Sequence, residues 1–343
     1  MAKAPKKGIK WEELGFGFSD VNCHLRMTWK NGKWSKPKFV KEPWINMHIG
    51  AACLHYGQEC FEGIKAFRQQ NGKIVIFRPD ENGKRMARTA IRTCMPVIEP
   101  EDFVKYCKMI VKKNEEYVPP FGTGGSMYLR PLLIGTGPQI GVAPANEYTF
   151  LIMVMPVGAY YKGGLKPVRA VIFDDWDRAA PHGMGDVKVG GNYAAGIFAH
   201  EKAKHEGWPV ELYLDAKSHK YVEEFATSNF AGISKSGSYV TPDSCSVLPS
   251  VTNMSLKQCA RDLGIKVECR AVPYTEIKKF QAVAALGTAV VITPVYEITR
   301  GKEVLRISDA KAVHPVLQKL YDRVQGIQYG TIADKHGWCF EVK

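Results

Sequence analysis

A lysine with unusual neighbours is the first residue whose setting points to chemistry. Lys188 stands in the stretch GDVKVGGNYAAG, between Val187 and Val189 and just before a glycine pair. The two valines predict a short strand around the lysine, and Asn192 is typical of the N-cap of a helix that runs to Gly207, a left-handed stop. Ligands of α/β folds bind at strand ends, so the pattern predicts a functional amine. The alternative is a lysine with a buried stem and a solvated charge.

Three other segments are typical of phosphate binding. The stretch LPSVTNMSL places the backbone N–H groups of Val251 and Thr252 at a predicted helix N-terminus, where the helix dipole attracts an anion. In ALGTAVVI, Gly287 allows a close backbone approach and Thr288 adds a hydroxyl. Arg85 in NGKRMAR supplies a cation. Each feature alone is a common cap or turn, but together they can enclose one phosphate.

Charged residues on two predicted strands complete the candidate chemistry. Glu223 and Glu224 are adjacent in YVEEFATSNF, and strand alternation predicts that only one of them points inward, where it needs a cationic or N–H partner. In SMYLRP, Tyr128 and Arg130 share a strand face, which suits a substrate with a carboxylate. A lysine, a phosphate cradle and a buried carboxylate are the requirements of pyridoxal phosphate, so these residues are consistent with a site for that coenzyme.

The elements that position these residues are predicted to form two domains. Residues 1–156 predict a small α+β domain that contains a tight hairpin at Asn31 and Gly32. Glycine, proline and aromatic residues at 157–167 indicate a connecting loop. Residues 168–343, in which strands and helices follow one another, predict a larger second domain. The predicted class is therefore mixed, α+β in the first domain and α+β or α/β overall.

Local patterns predict several further elements. The segment PDENG is typical of a turn and KRMARTAIRTC of a helix that follows it. In EDFVKYCKMIVKKNEEYV, Phe103, Cys107, Ile110 and Val111 form one apolar stripe at helical spacing. TNMSLKQCARDLG predicts a helix with its cap near Thr252, and a last helix is predicted to begin after Ser308 and to contain DAKAVHPVLQKLYDRVQ.

Composition and spacing exclude several other classes of protein. The first residues, MAKAPKKGIKWEEL, lack the apolar core of a signal peptide, and no apolar run approaches a membrane span, which predicts a cytoplasmic protein. Nine cysteines without a C-x-x-C pair, and histidines without ligand spacing, predict reduced thiols and no metal site. The net charge of +13 is dispersed along the chain, which argues against nucleic acid as a partner and is compatible with anionic small molecules. GTGGS and GTGPQIG are not followed by helices, so they predict turns and not a dinucleotide fingerprint.

The motifs taken together resemble those of the branched-chain amino acid aminotransferases, a group of fold-type IV pyridoxal-phosphate enzymes. The resemblance extends from LGFGFSD to the C-terminal IQYG. It is carried by LHYGQECFEGIKAFR, FRPDENGKRM, MYLRPLLIGTG, PVGAYYKGG, DVKVGGNYA, VEEFATSNF, LPSVTNMSL and LGTA. The resemblance implies a two-domain fold in which the larger, C-terminal domain binds pyridoxal 5′-phosphate.

The resemblance also implies a role for each matching residue. Lys188 is implied to be the catalytic lysine that forms the Schiff base, and Arg85 to bind the phosphate. Tyr193 is implied to contact the ring hydroxyl and Glu224 the pyridine nitrogen, with Thr227 and Asn229 in the same segment. The remaining implied cofactor-binding residues are Val251, Thr252 and Thr288.

On the substrate side, the resemblance implies an apolar pocket with one cation. Phe61, Tyr56 and Tyr128 are implied to form its wall, and Arg130 to bind the second carboxylate of glutamate. The amides of Thr288 and Ala289 are implied to bind the substrate α-carboxylate. The implied reaction is transamination of L-leucine, L-isoleucine and L-valine with 2-oxoglutarate, by a homodimer in which the partner subunit completes the site.

The sequence departs from the family pattern in two segments, and other functions are also compatible with parts of it. Ser250 and Asn253 stand where the family often has glycine and arginine, which bears on the phosphate turn. VVIT follows LGTA, so the C-x-x-C of the mammalian relatives is absent. A D-amino acid aminotransferase or an aminodeoxychorismate lyase shares the lysine and the glutamate but lacks the full set of N-terminal motifs. A basic nucleic-acid-binding protein is the alternative from another class, and its binding would weaken steeply with salt.

Overall fold

The chain forms two compact units. The structure, a computed structural model, describes residues 3–159 and 164–343. The first unit comprises Met1–Tyr160, Lys188–Gly190 and Gly326–Lys343, and the second comprises Tyr161–Val187 and Gly191–Gln325. The predicted loop at 157–167 includes residues 160–163, which lie outside the described residues. The domain boundaries at 156 and 168 stay a prediction.

Strands outnumber helices in the described residues. The strands are β1 (His24–Lys30), β2 (Lys33–Trp34), β3 (Lys38–Val40), β4 (Glu59–Phe61), β5 (Ile64–Arg68), β6 (Ile74–Phe77), β7 (Ser126–Gly135), β8 (Tyr148–Val157), β9 (Val168–Ile172), β10 (Val210–Leu214), β11 (Val222–Phe225), β12 (Ser228–Ile233), β13 (Tyr239–Pro242), β14 (Val267–Arg270), β15 (Ala282–Gly287), β16 (Val291–Arg300), β17 (Glu303–Arg306) and β18 (Cys339–Glu341). The α-helices are α1 (Ala52–Tyr56), α2 (Pro79–Arg92), α3 (Pro100–Lys113), α4 (Gly190–Ala194), α5 (Ile197–His205), α6 (Val251–Asp262) and α7 (Pro315–Tyr329). Three 3₁₀ helices cover Trp11–Glu13, Glu115–Tyr117 and Tyr274–Lys279.

The first unit is built on an antiparallel sheet in the order β18-β6-β5-β7-β8-β1-β2, with β3 on β1 and β4 on β7. Its longest pairing joins β7 to β8 from Ser126 opposite Val157 to Gly135 opposite Tyr148. Helix α3 packs on this sheet at β8 and on α2. The sheet therefore gives β4 and β7, which carry predicted substrate residues, a common buried support.

The second unit contains a closed ring of strands. Its sheet runs β11-β10-β9-β16-β15-β12-β13-β14, and β11 also pairs with β12. Because β11 bonds to both β10 and β12, the strands from β11 to β12 close on themselves as a barrel. Phe225, Phe230 and Val283 are among its buried core residues. Helix α6 packs against β14 and β15 beside this ring.

Several local predictions are confirmed. The hairpin between β1 and β2 turns at Asn31 and Gly32, which have φ angles of 53° and 79°, as a type I′ turn requires. The apolar stripe of α3 is buried at Phe103, Cys107, Ile110 and Val111. The helix predicted for TNMSLKQCARDLG is formed by α6, and Gly264 follows it with a left-handed φ of 72°.

The predicted turn PDENG is wrong, because it forms the first turns of α2. Pro79 occupies the first helical position, where its missing N–H costs nothing, and acidic Asp80 and Glu81 suit the positive end of the helix dipole. Gly83 allows α2 to approach α3, since an added Cβ would lie 3.1 Å from the Phe103 ring. The residue types of PDENG are thus common both in turns and in the first turn of a helix.

The predicted start of the last helix is also wrong. α7 begins at Pro315 and not after Ser308. The residues before it form a turn in which the Lys311 N–H donates to the Asp309 side chain at 2.7 Å. This local bond competes with helix formation, and the proline then starts the helix.

Candidate active site

Lys188 is not on a strand, so that prediction is wrong. It lies in an irregular segment between a turn at 181–186 and α4. Its backbone N–H donates to the Thr89 hydroxyl at 3.2 Å, and its carbonyl accepts from the Phe61 N–H at 3.1 Å. These bonds to α2 and β4 take the place of a sheet ladder. The Lys188 amine lies 4.7 Å from the centroid of the Phe61 ring, which fixes where the side chain points within the first unit.

The helix predicted after Lys188 is interrupted. Two short helices, α4 and α5, replace it, and Asn192 lies inside α4 instead of capping it. The Asn192 side chain donates to the carbonyls of Met184 at 2.7 Å and Val187 at 3.0 Å, so it anchors the turn that leads to Lys188. Tyr193 also lies in α4. The predicted stop at Gly207 is confirmed, with φ of 78° just after α5.

Tyr128 and Arg130 share one face of β7, as predicted. The Arg130 Nη2 donates to the Tyr128 hydroxyl at 2.8 Å, and the guanidinium lies 4.7 Å from the Phe61 ring centroid. Because Lys188 lies over the same ring, the first unit brings together two aromatic rings, a guanidinium and the amine. Tyr56 is 44% exposed, and its hydroxyl donates to the Ile140 carbonyl.

Arg85 is buried and rigidly held. Its Nε and Nη2 donate to the two carboxylate oxygens of Glu62, each at 2.7 Å, and Glu62 has no exposed surface. Asn82 adds a further donor to Glu62 at 2.7 Å. A bidentate pair of this kind fixes the plane of the guanidinium, which orients the N–H groups on its other edge. Glu62 was not identified from the sequence.

Glu224 lies on β11 in a setting that favours its ionised form. Its Oε1 is 2.9 Å from Nη2 of Arg178 and accepts from the Leu248 N–H at 3.2 Å. Its Oε2 accepts from the Asn229 side chain at 2.5 Å. Both Arg178 and Glu224 are buried. A cation and two N–H donors stabilise the charged carboxylate, which a pyridinium partner would require.

The predicted alternation of the two carboxylates is wrong, because Glu223 is buried as well. Its Oε1 accepts from the Ser244 hydroxyl at 3.0 Å, whereas its Oε2 has no hydrogen-bond partner in the described part of the chain. Burial raises the pKa of Glu223. The register between β10 and β11 shifts in this region, which breaks the strict alternation of side chains. Burial therefore does not distinguish the two residues, but their partners do.

The N-terminus of α6 presents two amides without helical acceptors. Ser250 is the N-cap, in place of the predicted cap near Thr252, and its hydroxyl accepts from the Asn253 N–H at 3.2 Å. The N–H groups of Val251 and Thr252 come before the first intrahelical bond. The Asn253 side chain points to the sheet, where it bonds to the hydroxyls of Tyr239 and Thr241. Ser250 and Asn253 thus stabilise this end without using those two amides.

Two loops of the second unit carry the other predicted residues. Thr227 lies between β11 and β12, and Thr288 and Ala289 follow β15 directly. The loops are adjacent, since a Cβ added to Gly287 would lie 3.1 Å from the Ser228 hydroxyl. Asn229 is buried on β12 and is positioned by its bond to Glu224, which supports its place in the candidate site.

Sequence reasoning missed several residues that the structure places beside predicted ones. Thr89 and Glu62 contact Lys188 and Arg85, and Arg178 pairs with Glu224. Lys65 is only partly exposed, and desolvation lowers its pKa to about 8. The only available signal was the presence of charged residues within otherwise apolar stretches, as in FEGIKAF. Such residues must find partners, but the sequence does not name them.

Neither a metal cluster nor a membrane span is found in residues 3–159 and 164–343. No three His, Cys, Asp or Glu side chains of these residues are grouped so that they could hold a metal ion. No helix within them combines the length and the apolar character needed to cross a bilayer.

Comparisons with known proteins are consistent over most of the chain. The family model described as amino-transferase class IV matches residues 59–298. A branched-chain-amino-acid aminotransferase of Haemophilus influenzae is 43% identical over 98% of this chain and 100% of its own length. The transaminase htyB of Aspergillus rugulosus is 38% identical over 99% of this chain and 94% of its own length. A solved T.th. branched-chain amino acid aminotransferase, complexed with N-(5′-phosphopyridoxyl)-L-glutamate, has a TM-score of 0.79 and 26% identity, and the match covers 94% of this chain and 100% of that one.

Proposed function

Because the chain belongs to the class IV aminotransferases, we propose that it transfers the amino group of L-leucine, L-isoleucine and L-valine to 2-oxoglutarate. The products are the branched 2-oxo acids and L-glutamate. The observation that carries the proposal is the full-length similarity to the Haemophilus influenzae enzyme, at 43% identity over 98% of the chain. The fold class is the predicted fold-type IV, with one open sheet and one closed barrel.

The protein is a transaminase, and its coenzyme is pyridoxal 5′-phosphate. When bound, pyridoxal phosphate accepts electrons from the substrate Cα as its proton leaves. The donors present fit this group. Glu224 is a buried carboxylate stabilised by Arg178, the α6 N-terminus offers two amides without helical acceptors, and Lys188 offers an amine. The implied cofactor residues are therefore chemically suited to their roles.

Each residue contributes one task in the proposed reaction. Lys188 would hold the coenzyme covalently and, after the incoming amino group has displaced it, would act as a neutral amine that moves the proton from the substrate Cα. Glu224 keeps the pyridine nitrogen protonated, and Asn229 orients that carboxylate. Tyr193 and Thr227 are proposed to contact the ring or its substituents. The phosphate is proposed to bind Arg85, Val251, Thr252 and Thr288.

The substrate pocket must accept an isobutyl group and then a propionate. Phe61 and Tyr128 supply apolar surface, and Arg130, which lies over the Phe61 ring, supplies one cation for the distal carboxylate of glutamate. Tyr56 is proposed to extend the apolar wall. The amides of Thr288 and Ala289 are proposed to bind the α-carboxylate. The aromatic surface and the single cation of the first unit support the acceptance of both substrates.

A panel of amino donors tests the proposal. The holoenzyme is incubated with 2-oxoglutarate and one of L-leucine, L-isoleucine, L-valine, L-phenylalanine or D-alanine, and glutamate formation is followed. We expect kcat/KM for the three branched donors to exceed that for the others by about tenfold or more, since each misfitted group costs about 1–3 kcal/mol. Because the chain is also similar to transaminase htyB, whose name specifies no donor, L-phenylalanine is included as a donor without a branched aliphatic side chain. Preference for D-alanine would contradict the proposal, and Lys188→Ala is the inactive control.

The same assay with the Arg130→Met variant tests whether Arg130 is needed for 2-oxoglutarate but not for L-leucine. A distal carboxylate without a cation in an apolar site costs several kcal/mol, whereas leucine has no such group. The variant is therefore expected to raise the KM for 2-oxoglutarate much more than the KM for L-leucine. An equal loss for both would show that Arg130 has only a structural role.

We propose that the protein assembles as a homodimer whose partner subunit completes the site. Exposed apolar residues of the first unit support an association surface, among them Trp44, Ile49 and Val142, which are 82%, 85% and 87% exposed. Light scattering of the purified protein would give twice the chain mass if this is correct. The cytoplasmic location stays a prediction.

A further inference from the structure

Glu59 is a half-buried carboxylate beside Lys188 that has no role in the proposed reaction so far. It begins β4, two residues before Phe61. A Cβ built on Gly190 would lie 1.7 Å from the Glu59 Oε1 and 2.9 Å from its Cδ. The carboxylate therefore occupies the space that any side chain at position 190 would need. The backbone N–H of Gly190 hydrogen-bonds to it, and both residues belong to the first unit.

Hydrogen bonds hold the backbone before and after the Lys188 Cα. Glu59 accepts the bond that lies furthest along the chain, from Gly190. Thr89, which is fully buried, accepts from the Lys188 N–H at 3.2 Å, and Phe61 donates to the Lys188 carbonyl at 3.1 Å. Glu59 then accepts from Gly190. Because Lys188 is not on a strand, these bonds replace a sheet ladder. The direction of its Cα–Cβ bond depends on them.

We propose that Glu59 is a positioning residue that holds the Gly190 N–H and so aims the Lys188 amine. This inference rests on the proposed role of Lys188 as the lysine that bonds to the coenzyme. A side chain at position 190 would have to displace the Glu59 carboxylate, so the glycine, whose φ is not positive, preserves this contact. A carboxamide at position 59 can still accept the Gly190 N–H, whereas an alanine cannot.

Two forms of the coenzyme separate positioning from general damage to the site. Pyridoxal phosphate must bond to the lysine, whereas pyridoxamine phosphate binds without doing so. The full-length apoprotein is prepared as wild type, Glu59→Gln and Glu59→Ala, with Glu101→Ala as a control at an exposed glutamate. The rate at which lysine bonds to pyridoxal phosphate is measured by borohydride trapping and intact-mass analysis. Equilibrium dialysis gives the affinity for pyridoxamine phosphate.

We expect Glu59→Ala to slow lysine bonding by about tenfold or more, because a small misplacement of a reacting group has a large effect on rate. Its affinity for pyridoxamine phosphate should stay within about twofold of wild type, and Glu59→Gln should match wild type in both assays. Equal losses for the two coenzyme forms, or no loss in either, would overturn the proposal. A Glu59→Gln variant as slow as Glu59→Ala would also overturn it, because the carboxamide keeps an acceptor for the Gly190 N–H.

A double mutant of Glu59 and Gly190 tests the contact between these residues without relying on the Glu59 variants alone. Gly190→Ala alone should slow lysine bonding, because its methyl group displaces the Glu59 carboxylate. Glu59→Ala with Gly190→Ala should be no slower than Glu59→Ala alone, since the methyl then has room. Additive losses would contradict the contact. If the wild-type protein itself forms no bond between a lysine and pyridoxal phosphate, the proposed function is wrong. Failure of the Glu59 proposal alone would instead leave the wild-type reaction intact.

Discussion

Glu223 and Glu224 differ in the partners of their carboxylates and not in burial. Both are nearly inaccessible, at 3% and 4% exposure. Glu224 bonds to Arg178, whereas Glu223 accepts from the Ser244 hydroxyl and burial raises its pKa. Arg178 only partly offsets the effect of burial on the pKa of Glu223, whereas it forms a direct ion pair with Glu224. At the residue scale, the charged partner therefore selects Glu224 for the pyridine nitrogen.

Substitution of each glutamate by glutamine is expected to have unequal effects. Glu224→Gln removes the negative charge that stabilises a protonated pyridine, and we expect the half-reaction with L-leucine to slow on the order of 100-fold, or about 2.7 kcal/mol. Glu223→Gln keeps the shape of the side chain and an oxygen that can accept from the Ser244 hydroxyl, and it leaves the ion pair of Arg178 with Glu224 in place, so it should change the rate by less than about threefold. Stopped-flow absorbance of the holoenzyme measures both. Equal losses would show that the two carboxylates act together.

The sequence predicts some contacts of single residues and not others. Tyr128 and Arg130 are two apart on a strand, so their shared face follows from backbone geometry. The pairs Glu62 with Arg85 and Arg178 with Glu224 join distant segments. No local pattern carries that information, because the partner of a buried charge is chosen by the fold.

The helices and strands are predicted correctly where the residues of a segment are typical of only one structure. They are predicted wrongly where the same residues are typical of two structures. The stripe of α3 repeats over several turns and has only one interpretation. The sequence Val-Lys-Val around Lys188 is too short to distinguish a strand from an irregular segment, and its bonds go to Thr89 and Phe61 instead of a neighbouring strand. PDENG has turn residues that are equally suited to the start of α2.

The cap of α6 gives a prediction about stability. The Ser250 hydroxyl accepts the Asn253 N–H, which has no intrahelical acceptor. Ser250→Ala is expected to lower the free energy of unfolding by about 1 kcal/mol, whereas Ser250→Gly should cost only a few tenths. Urea denaturation of the apoprotein measures both variants against wild type. A glycine variant less stable than the alanine variant would contradict the capping role.

At the scale of the whole molecule, the order of strands depends on contacts that composition does not reveal. β18 is three residues long and pairs with β6, so the C-terminal segment belongs to the first unit. The closure of the second sheet depends on the pairing of Glu224 with Asn229 and of Phe225 with Ser228. Mixed α and β structure follows from local patterns, but these closures follow from the complete fold.

Lys188 is proposed to be the lysine that bonds to pyridoxal phosphate. Lys65 is its natural competitor, because desolvation lowers the pKa of Lys65 to about 8 and so raises the fraction of neutral, nucleophilic amine. The decisive measurement is borohydride reduction of the holoenzyme, followed by proteolysis and mass spectrometry of the phosphopyridoxyl-labelled peptide. We expect a single label, on Lys188. A label on Lys65, or no labelled lysine after saturation with pyridoxal phosphate, would contradict the account.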